Sequence, residues 1–172
     1  MNYKIRCLLT GTVTTDSSVE KMHSVLDAGR KIKIPVNIFY VEGPKLRLIF
    51  EAGMASSDEM NKKWGAGKYG VLPPAEGGGA ESIEQALAEV GATTDDIQFV
   101  IPSHLHTDHA WNLDVFPKAK VIAQREEIIE AIDPPSPMRF GYSRVINVKL
   151  VSRRQPDELK IIDGDCDIAE GL

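Results

Sequence analysis

Hydrophobic and polar residues alternate loosely along the first third of the chain, which is the pattern of β-strands. The stretch YKIRCLLTGTV shows this pattern first, and residues 35–43 and 45–53 follow with many β-branched and aromatic side chains. Between the last two stretches, the letters EGPK are typical of a hairpin turn. The sequence therefore predicts an antiparallel sheet at the start of the fold.

The alternation ends in residues 55–80, which are rich in small, polar and turn-forming residues such as VLPPAEGGGAES. The composition predicts a long loop, and a loop of this length inside a compact domain usually has a function of its own. For residues 54–69, two interpretations stay open: a lid over a substrate, and an exposed connection anchored by one tryptophan.

A helix is predicted directly after this loop, in SIEQALAEVG. Ile83, Leu87 and Val90 share one face of that helix. Ser82 and Gln85 have the spacing of a capping box, and a glycine follows as a stop signal.

The second half of the chain alternates strands and helices. Residues 97–101 predict a short apolar strand, AKVIAQ a second strand and REEIIEAI an amphipathic helix, after which DPPSPMRFGY breaks the pattern. The segment ELKIIDGDCDIAEGL predicts a hairpin that turns at Asp163 and Gly164. The architecture expected is mixed α/β, in a single domain spanning residues 1–172.

Composition narrows the possible partners. The net charge of −5 and the pI of about 5.4 argue against binding to nucleic acid or to an anionic membrane, because both need clustered positive charge. No apolar run is long enough for a membrane span or a signal peptide, so a cytoplasmic protein is expected.

The stretch VIPSHLHTDHAWN holds three of the four histidines of the chain. On an extended backbone, alternate residues share a face, so His104, His106 and the carboxylate of Asp108 are predicted to point the same way. A turn near Asp108 would bring His109 back beside them. Imidazole and carboxylate are typical ligands of zinc and related divalent ions, and so many ligands at this spacing suit two ions about 3.5–4 Å apart. The remaining histidine, His23, is expected to have no chemical role.

This motif resembles that of the metallo-β-lactamase superfamily, and within it the quorum-quenching N-acyl homoserine lactonases. The resemblance rests on HLHTDH followed by AWN, on RLIFEAGM upstream, and on FPKAKVIAQREEI and DGDCDIAEGL downstream, in the order that such lactonases show. Glyoxalase II thioesterases share the motif. The motif is therefore specific for the superfamily and much less specific for the reaction.

The resemblance implies an αββα sandwich, of which this chain looks like the N-terminal half to two-thirds. It implies that His104 and His106 bind a first metal ion, that Asp108 and His109 bind a second, and that a metal-bound hydroxide attacks the carbonyl of a lactone substrate. Asp108 would also act as the catalytic residue that passes a proton to the leaving alkoxide. Zinc is the expected metal, and iron, cobalt and manganese also suit such ligands.

Two departures from the family pattern matter. Glu51-Ala52-Gly53 stands where family members usually have Asp-Thr-Gly, so a supporting carboxylate would lie one methylene further out. In the family, a third histidine, a bridging aspartate and a last histidine follow the segment that ends this chain at Leu172. The sequence is thus expected to lack the C-terminal part of its domain, and a complementary C-terminal fragment or a homo-oligomer is the expected protein partner.

Three functions follow from these observations. The first is a dinuclear-metal hydrolase that opens the ring of N-acyl homoserine lactones. The second is a glyoxalase II-like thioesterase. The third, from a different class, is a non-catalytic half-domain that functions only with a complementary chain.

Overall fold

A computed structural model describes most of the chain, and His23 lies outside the residues that it describes. The described ranges are 2–20, 25–64, 69–135, 139–153 and 158–172.

Strands and helices follow one another along these ranges. The strands are β1 (Lys4–Asp16), β2 (Lys31–Gly43), β3 (Leu46–Phe50), β4 (Tyr69–Leu72), β5 (Phe99–Ile101), β6 (Lys120–Gln124) and β7 (Leu159–Ile162). The helices are α1 (Ser17–Glu20), α2 (Ser57–Trp64), α3 (Pro74–Gly77), α4 (Ile83–Ala88), α5 (Thr107–Ala110), α6 (Arg125–Ile132) and α7 (Arg144–Ser152). Short 3-10 turns occupy Val25–Asp27, Thr94–Asp96 and Leu113–Val115.

The strands form one mixed sheet in the order β4-β1-β2-β3-β5-β6-β7. Strands β1, β2 and β3 pair antiparallel, which confirms the predicted opening sheet and its hairpin. From β3 onwards the pairs β3–β5, β5–β6 and β6–β7 are parallel. Because the carboxyl ends of parallel strands meet at one edge of a sheet, the residues that follow β3 and β5 emerge side by side.

The two faces of the sheet are covered differently. Helical side chains, among them Met60, Leu87 and Ile146, pack with strand residues into one large core on the first face. A smaller cluster on the second face contains Val41, Leu46 and Leu48, against which Phe99, Ile101, Ile168, Ala169 and Leu172 pack. The mixed α/β prediction is confirmed, and within the described ranges the sheet and its one helical layer correspond to one half of a two-sheet sandwich. No helix in these ranges has the length and apolarity needed to cross a membrane.

The helix predicted after residue 81 is present as α4. The Ser82 hydroxyl accepts from the Gln85 N–H at 3.3 Å, and the Gln85 side chain accepts from the Glu81 N–H at 3.0 Å rather than from that of Ser82. Ile83 and Leu87 are buried as expected, whereas Val90, predicted on the same helical face, lies beyond the end of α4.

The loop predicted over residues 55–80 is wrong in part, because α2, β4 and α3 lie inside it. Met60 of α2 is fully buried. The Asn61 side chain donates to the carbonyl of Val71 at 3.0 Å and accepts from its N–H at 2.9 Å, which ties α2 to β4. Tertiary contacts of this kind are invisible to local sequence patterns.

The hairpin predicted at the end of the chain is also wrong. Only β7 forms there, and it pairs parallel with β6. The predicted turn itself is present, since Gly164 has a φ of +81°. The Gln124 side chain, rather than a second strand, forms hydrogen bonds with the N–H and the carbonyl of Gly164. Beyond it, the N–H groups of Ile168 and Ala169 donate to the carbonyl of Leu172 at 3.0 and 3.3 Å, so the chain turns on itself.

Helix α7 was not predicted, although its signals are in the sequence. The Ser143 hydroxyl accepts from the Val145 N–H at 3.3 Å as the N-cap. Ile146 and Leu150 are buried four residues apart on the inner face. The nearby proline-rich segment obscured this helix.

Candidate metal centre

The histidine motif lies where β5 ends and a single helical turn begins. The backbone is still extended at His106, with φ −67° and ψ 159°, and α5 starts at the next residue. This change from extended to helical backbone turns Asp108 and His109 back toward His104 and His106. The predicted extended backbone up to Asp108 is wrong, because the helical turn begins one residue earlier, at Thr107.

The structure brings the predicted site residues together. The ring centroids of His104 and His106 are 4.5 Å apart, and those of His104 and His109 are 4.0 Å apart. Asp108 Oδ2 lies 3.4 Å from His109 Nε2. Three imidazoles and one carboxylate thus share one small volume at the edge of the sheet.

Glu51, directly after β3, supports this cluster. Its Oε2 accepts a hydrogen bond from the Ser103 N–H at 3.1 Å and lies 3.2 Å from His109 Nδ1, an ion-pair distance without hydrogen-bond geometry. Glu51 has a φ of +66°, which is uncommon for a residue other than glycine. The longer side chain therefore still reaches the motif, from an unusual backbone conformation.

Backbone contacts join the segment after Glu51 to the segment after the motif. The Ala52 N–H donates to the carbonyl of His109 at 2.6 Å, and the Trp111 N–H donates to that of Gly53 at 3.1 Å. The Asn112 side chain donates to the carbonyls of Ala52 and Met54 at 2.9 and 2.8 Å. Sequence reasoning missed Asn112, although it lies in the AWN stretch that carries the family resemblance.

Helix α7 holds the same region from the other side. Lys149 Nζ donates to the carbonyl of Trp111 at 2.5 Å, lies 5.0 Å from the centre of its ring, and pairs with Asp114 at 2.8 Å. The Arg153 guanidinium donates to three carbonyls at 2.7–2.8 Å, those of Leu113, Phe116 and Ala119. Neither contact was predicted, because both join distant parts of the chain.

The pKa values of the three histidines in the cluster are shifted in different directions. Burial lowers the pKa of His104 and of His106, and neighbouring histidines lower it further. Burial also acts to lower the pKa of His109, but Asp108 and Glu51 outweigh it and raise the value to about 9. In the metal-free protein, the two carboxylates therefore favour the protonated form of His109.

The surroundings of Asp108 and Glu51 favour the ionised form of both carboxylates. Burial acts to raise the pKa of Asp108 and of Glu51, but His109, with the Ser103 hydrogen bonds in the case of Glu51, outweighs it, so that both values lie below the ordinary ones. A divalent cation would supply the same compensating positive charge, since metal binding displaces protons from its ligands.

The donor set fits divalent metal ions. His106 Nε2 and His109 Nδ1 are buried without a hydrogen-bond partner in the described ranges, which is costly unless a ligand satisfies such atoms. Among these residues, no three His, Cys, Asp or Glu side chains are placed to hold one ion together. The role of His104, His106, Asp108 and His109 as metal ligands accordingly stays a prediction.

Comparison with known proteins gives consistent matches. A family model described as "Metallo-beta-lactamase superfamily" matches residues 33–172. The N-acyl homoserine lactonase AiiA of Bacillus thuringiensis subsp. kurstaki is 27% identical over 154 residues, which cover 88% of this chain and 56% of that protein.

Solved structures give the same picture. An N-acyl homoserine lactone hydrolase with the product N-hexanoyl-L-homoserine bound at its catalytic metal centre superposes with a TM-score of 0.76 and 25% identity, covering 99% of this chain and 64% of that one. AidC, a dizinc quorum-quenching lactonase, has a TM-score of 0.65 and 15% identity, covering 98% of this chain and 61% of that one, which shows likeness of fold alone. The chain thus spans less than two-thirds of the length of these proteins.

Proposed function

The chain belongs to the metallo-β-lactamase superfamily, and from this premise we propose that it forms part of a metal-dependent hydrolase. This hydrolase would open lactone rings, with N-acyl homoserine lactones as substrates. The observation that carries the proposal is the convergence of three imidazoles and the Asp108 carboxylate where β5 ends. AiiA, which matches 88% of this chain, is named as an N-acyl homoserine lactonase.

His104 and His106 would hold one divalent ion, and Asp108 and His109 a second. Zinc is the proposed metal, in keeping with the dizinc lactonase of the same fold. When bound, such ions lower the pKa of water toward 7 and polarise a carbonyl oxygen.

Asp108 is the residue that we assign to proton transfer. Its carboxylate lies 3.4 Å from His109 within the proposed site, where it would accept a proton from the attacking water. It would deliver this proton to the ring oxygen as the carbon–oxygen bond of the lactone breaks. Glu51 would keep His109 oriented during this transfer through its contact with Nδ1.

We further propose that a complementary chain or a second copy of this chain completes the ligands. This is supported by the absence, among the described residues, of three side chains placed to hold one ion. Multi-angle light scattering with and without Zn²⁺ measures it, since a metal-dependent increase in mass is expected.

Proton release on ring opening tests the function directly. The protein in the assembled state that Zn²⁺ induces is expected to hydrolyse N-hexanoyl homoserine lactone in a pH-stat, and Asp108→Asn should lower kcat by about 10²–10⁴-fold. Glu126→Gln, on an exposed position of α6, is the matched control and should keep the wild-type rate.

Two results would point elsewhere. Faster hydrolysis of a glutathione thioester than of the lactone would favour the glyoxalase II-like thioesterase. A protein that binds no zinc and hydrolyses neither substrate would leave the non-catalytic half-domain as the function.

A further inference from the structure

The backbone between His104 and His106 is held by a residue of a different element. The Leu105 N–H donates to Glu127 Oε1 of α6 at 2.6 Å, and Leu105 is fully buried. Strand β5 has ended by this point, so no neighbouring strand accepts from this N–H. Because a buried backbone donor without a partner is costly, the Glu127 carboxylate determines where this segment lies.

The same oxygen holds a second group that contacts the site. The Tyr142 hydroxyl donates to Glu127 Oε1 at 3.1 Å. The Tyr142 ring lies edge-on to the His106 ring, with centroids 4.4 Å apart and planes at 81°.

Gly141 also packs closely against the His106 ring. A Cβ at residue 141 would lie 2.8 Å from three atoms of that ring, so only glycine permits this approach. The Gly141 carbonyl also accepts from the Thr107 N–H at 2.9 Å, and His106 and Tyr142 form an isolated β-bridge. The segment at residues 141–142 is thereby attached to the motif on both sides of His106.

We propose that Glu127 is a positioning residue for the metal ligands: with one carboxylate oxygen it sets the backbone between His104 and His106 and presses Tyr142 against the His106 ring. This role rests on the proposed metal-dependent function, since it matters only if His106 binds an ion. The essential property is the acceptor oxygen at this distance, because both donors converge on it. Supporting partners of this kind typically change metal affinity by about 10–100-fold when removed.

Four variants separate the possibilities. Glu127→Ala removes the acceptor, and Glu127→Gln keeps an amide oxygen that can accept from both donors. Tyr142→Phe keeps the ring and removes the hydroxyl. Glu126→Gln is the control, because it changes the same charge on an exposed position of the same helix.

The first measurement is made on the metal-free protein. Hydrogen exchange of the Leu105 amide and the ring signals of His106 are followed by NMR. In Glu127→Ala, the Leu105 amide should exchange at least about tenfold faster and the His106 signals should shift. Tyr142→Phe should shift the His106 signals alone.

The second measurement is a titration with Co²⁺, read from its visible absorption. Glu127→Ala should bind Co²⁺ about 10–100-fold more weakly than wild type. Glu127→Gln and Glu126→Gln should bind it as wild type does, a rescue that a purely electrostatic role of Glu127 would not give.

Several outcomes overturn the proposal. Equal Co²⁺ affinity of Glu127→Ala and wild type does so, as does a Glu127→Gln variant as weak as Glu127→Ala. If wild type binds no Co²⁺, the metal-dependent function fails. The NMR result then decides the positioning role by itself: unchanged His106 signals in Glu127→Ala would reject it, and shifted signals would support it. If Glu127→Ala does not fold, unchanged His106 signals in Tyr142→Phe reject the role, and shifted signals support it.

Discussion

At the scale of single residues, Glu51 shows how a departure from the family pattern is accommodated. The additional methylene, compared with an aspartate, is combined with a left-handed backbone at φ +66°. The carboxylate then reaches both the Ser103 N–H and His109. Non-glycine residues in this region carry strain, which the contacts of the carboxylate must offset.

Shortening this side chain tests that account. We expect Glu51→Asp to lose one of the two contacts and to lower the free energy of unfolding by about 1–3 kcal/mol, because a buried polar group loses its partner. Urea unfolding in the presence of a chelator measures this. Glu51→Gln keeps the length and the acceptor for Ser103, so it should be the more stable of the two, and the reverse order would contradict the account.

The motif residues were predictable, whereas their supports were not. Alternation along an extended backbone and a turn near Asp108 predict that His104, His106 and His109 lie together, and the rings do so, although the turn begins at Thr107. The approach of Glu51, Glu127 and other partners depends on contacts across many residues of sequence. No local pattern contains this information, although the family resemblance identified Glu51 as a supporting carboxylate.

At the scale of elements, α7 acts as a brace for the segment after the motif. Arg153 ends this helix and donates to the carbonyls of Leu113, Phe116 and Ala119. A guanidinium presents several donors in a fixed plane, which a lysine ammonium cannot reproduce at three separate carbonyls.

We therefore expect Arg153→Lys to destabilise the protein by about 1–3 kcal/mol, since carbonyls inside the fold would lose a charged donor. Arg144→Lys, at the exposed start of the same helix, is the matched control and should change stability little. Thermal and urea unfolding of both variants measure the difference. Equal effects of the two substitutions would show that the three carbonyl contacts contribute nothing specific.

Strands and helices were predictable where their patterns were strong and local. The opening hairpin, α4, β6 and α6 all lie where periodicity placed them. The predicted terminal hairpin did not form because β7 found a parallel partner in β6, and parallel pairing joins distant segments. Helix α7 was missed although Ser143, Ile146 and Leu150 carried its signals.

At the scale of the whole molecule, the second face of the sheet is only partly covered. Residues 168–172 pack on Val41, Leu46 and Leu48, while Ile5 and Phe39 remain 67% and 40% exposed. A contiguous apolar surface of this kind usually marks a contact with another layer or chain.

Removal of residues 168–172 should therefore uncover this face. We expect higher fluorescence of a bound hydrophobic dye and more light scattering from the shortened chain than from the wild type. Glu170→Gln alters only an exposed side chain of the same segment and should leave both signals unchanged. Unchanged dye binding after the truncation would show that the segment does not shield the apolar cluster.

The mixture of strand pairings also has a consequence for the order in which the molecule folds. Strands β1 to β3 pair with their sequence neighbours, whereas the Glu51–Ser103 hydrogen bond joins residues 52 positions apart. Contacts between distant residues form more slowly, because the intervening chain must first be closed into a loop. We expect the β2–β3 hairpin to nucleate folding, and the edge that carries the histidines to become ordered late and to loosen early in unfolding.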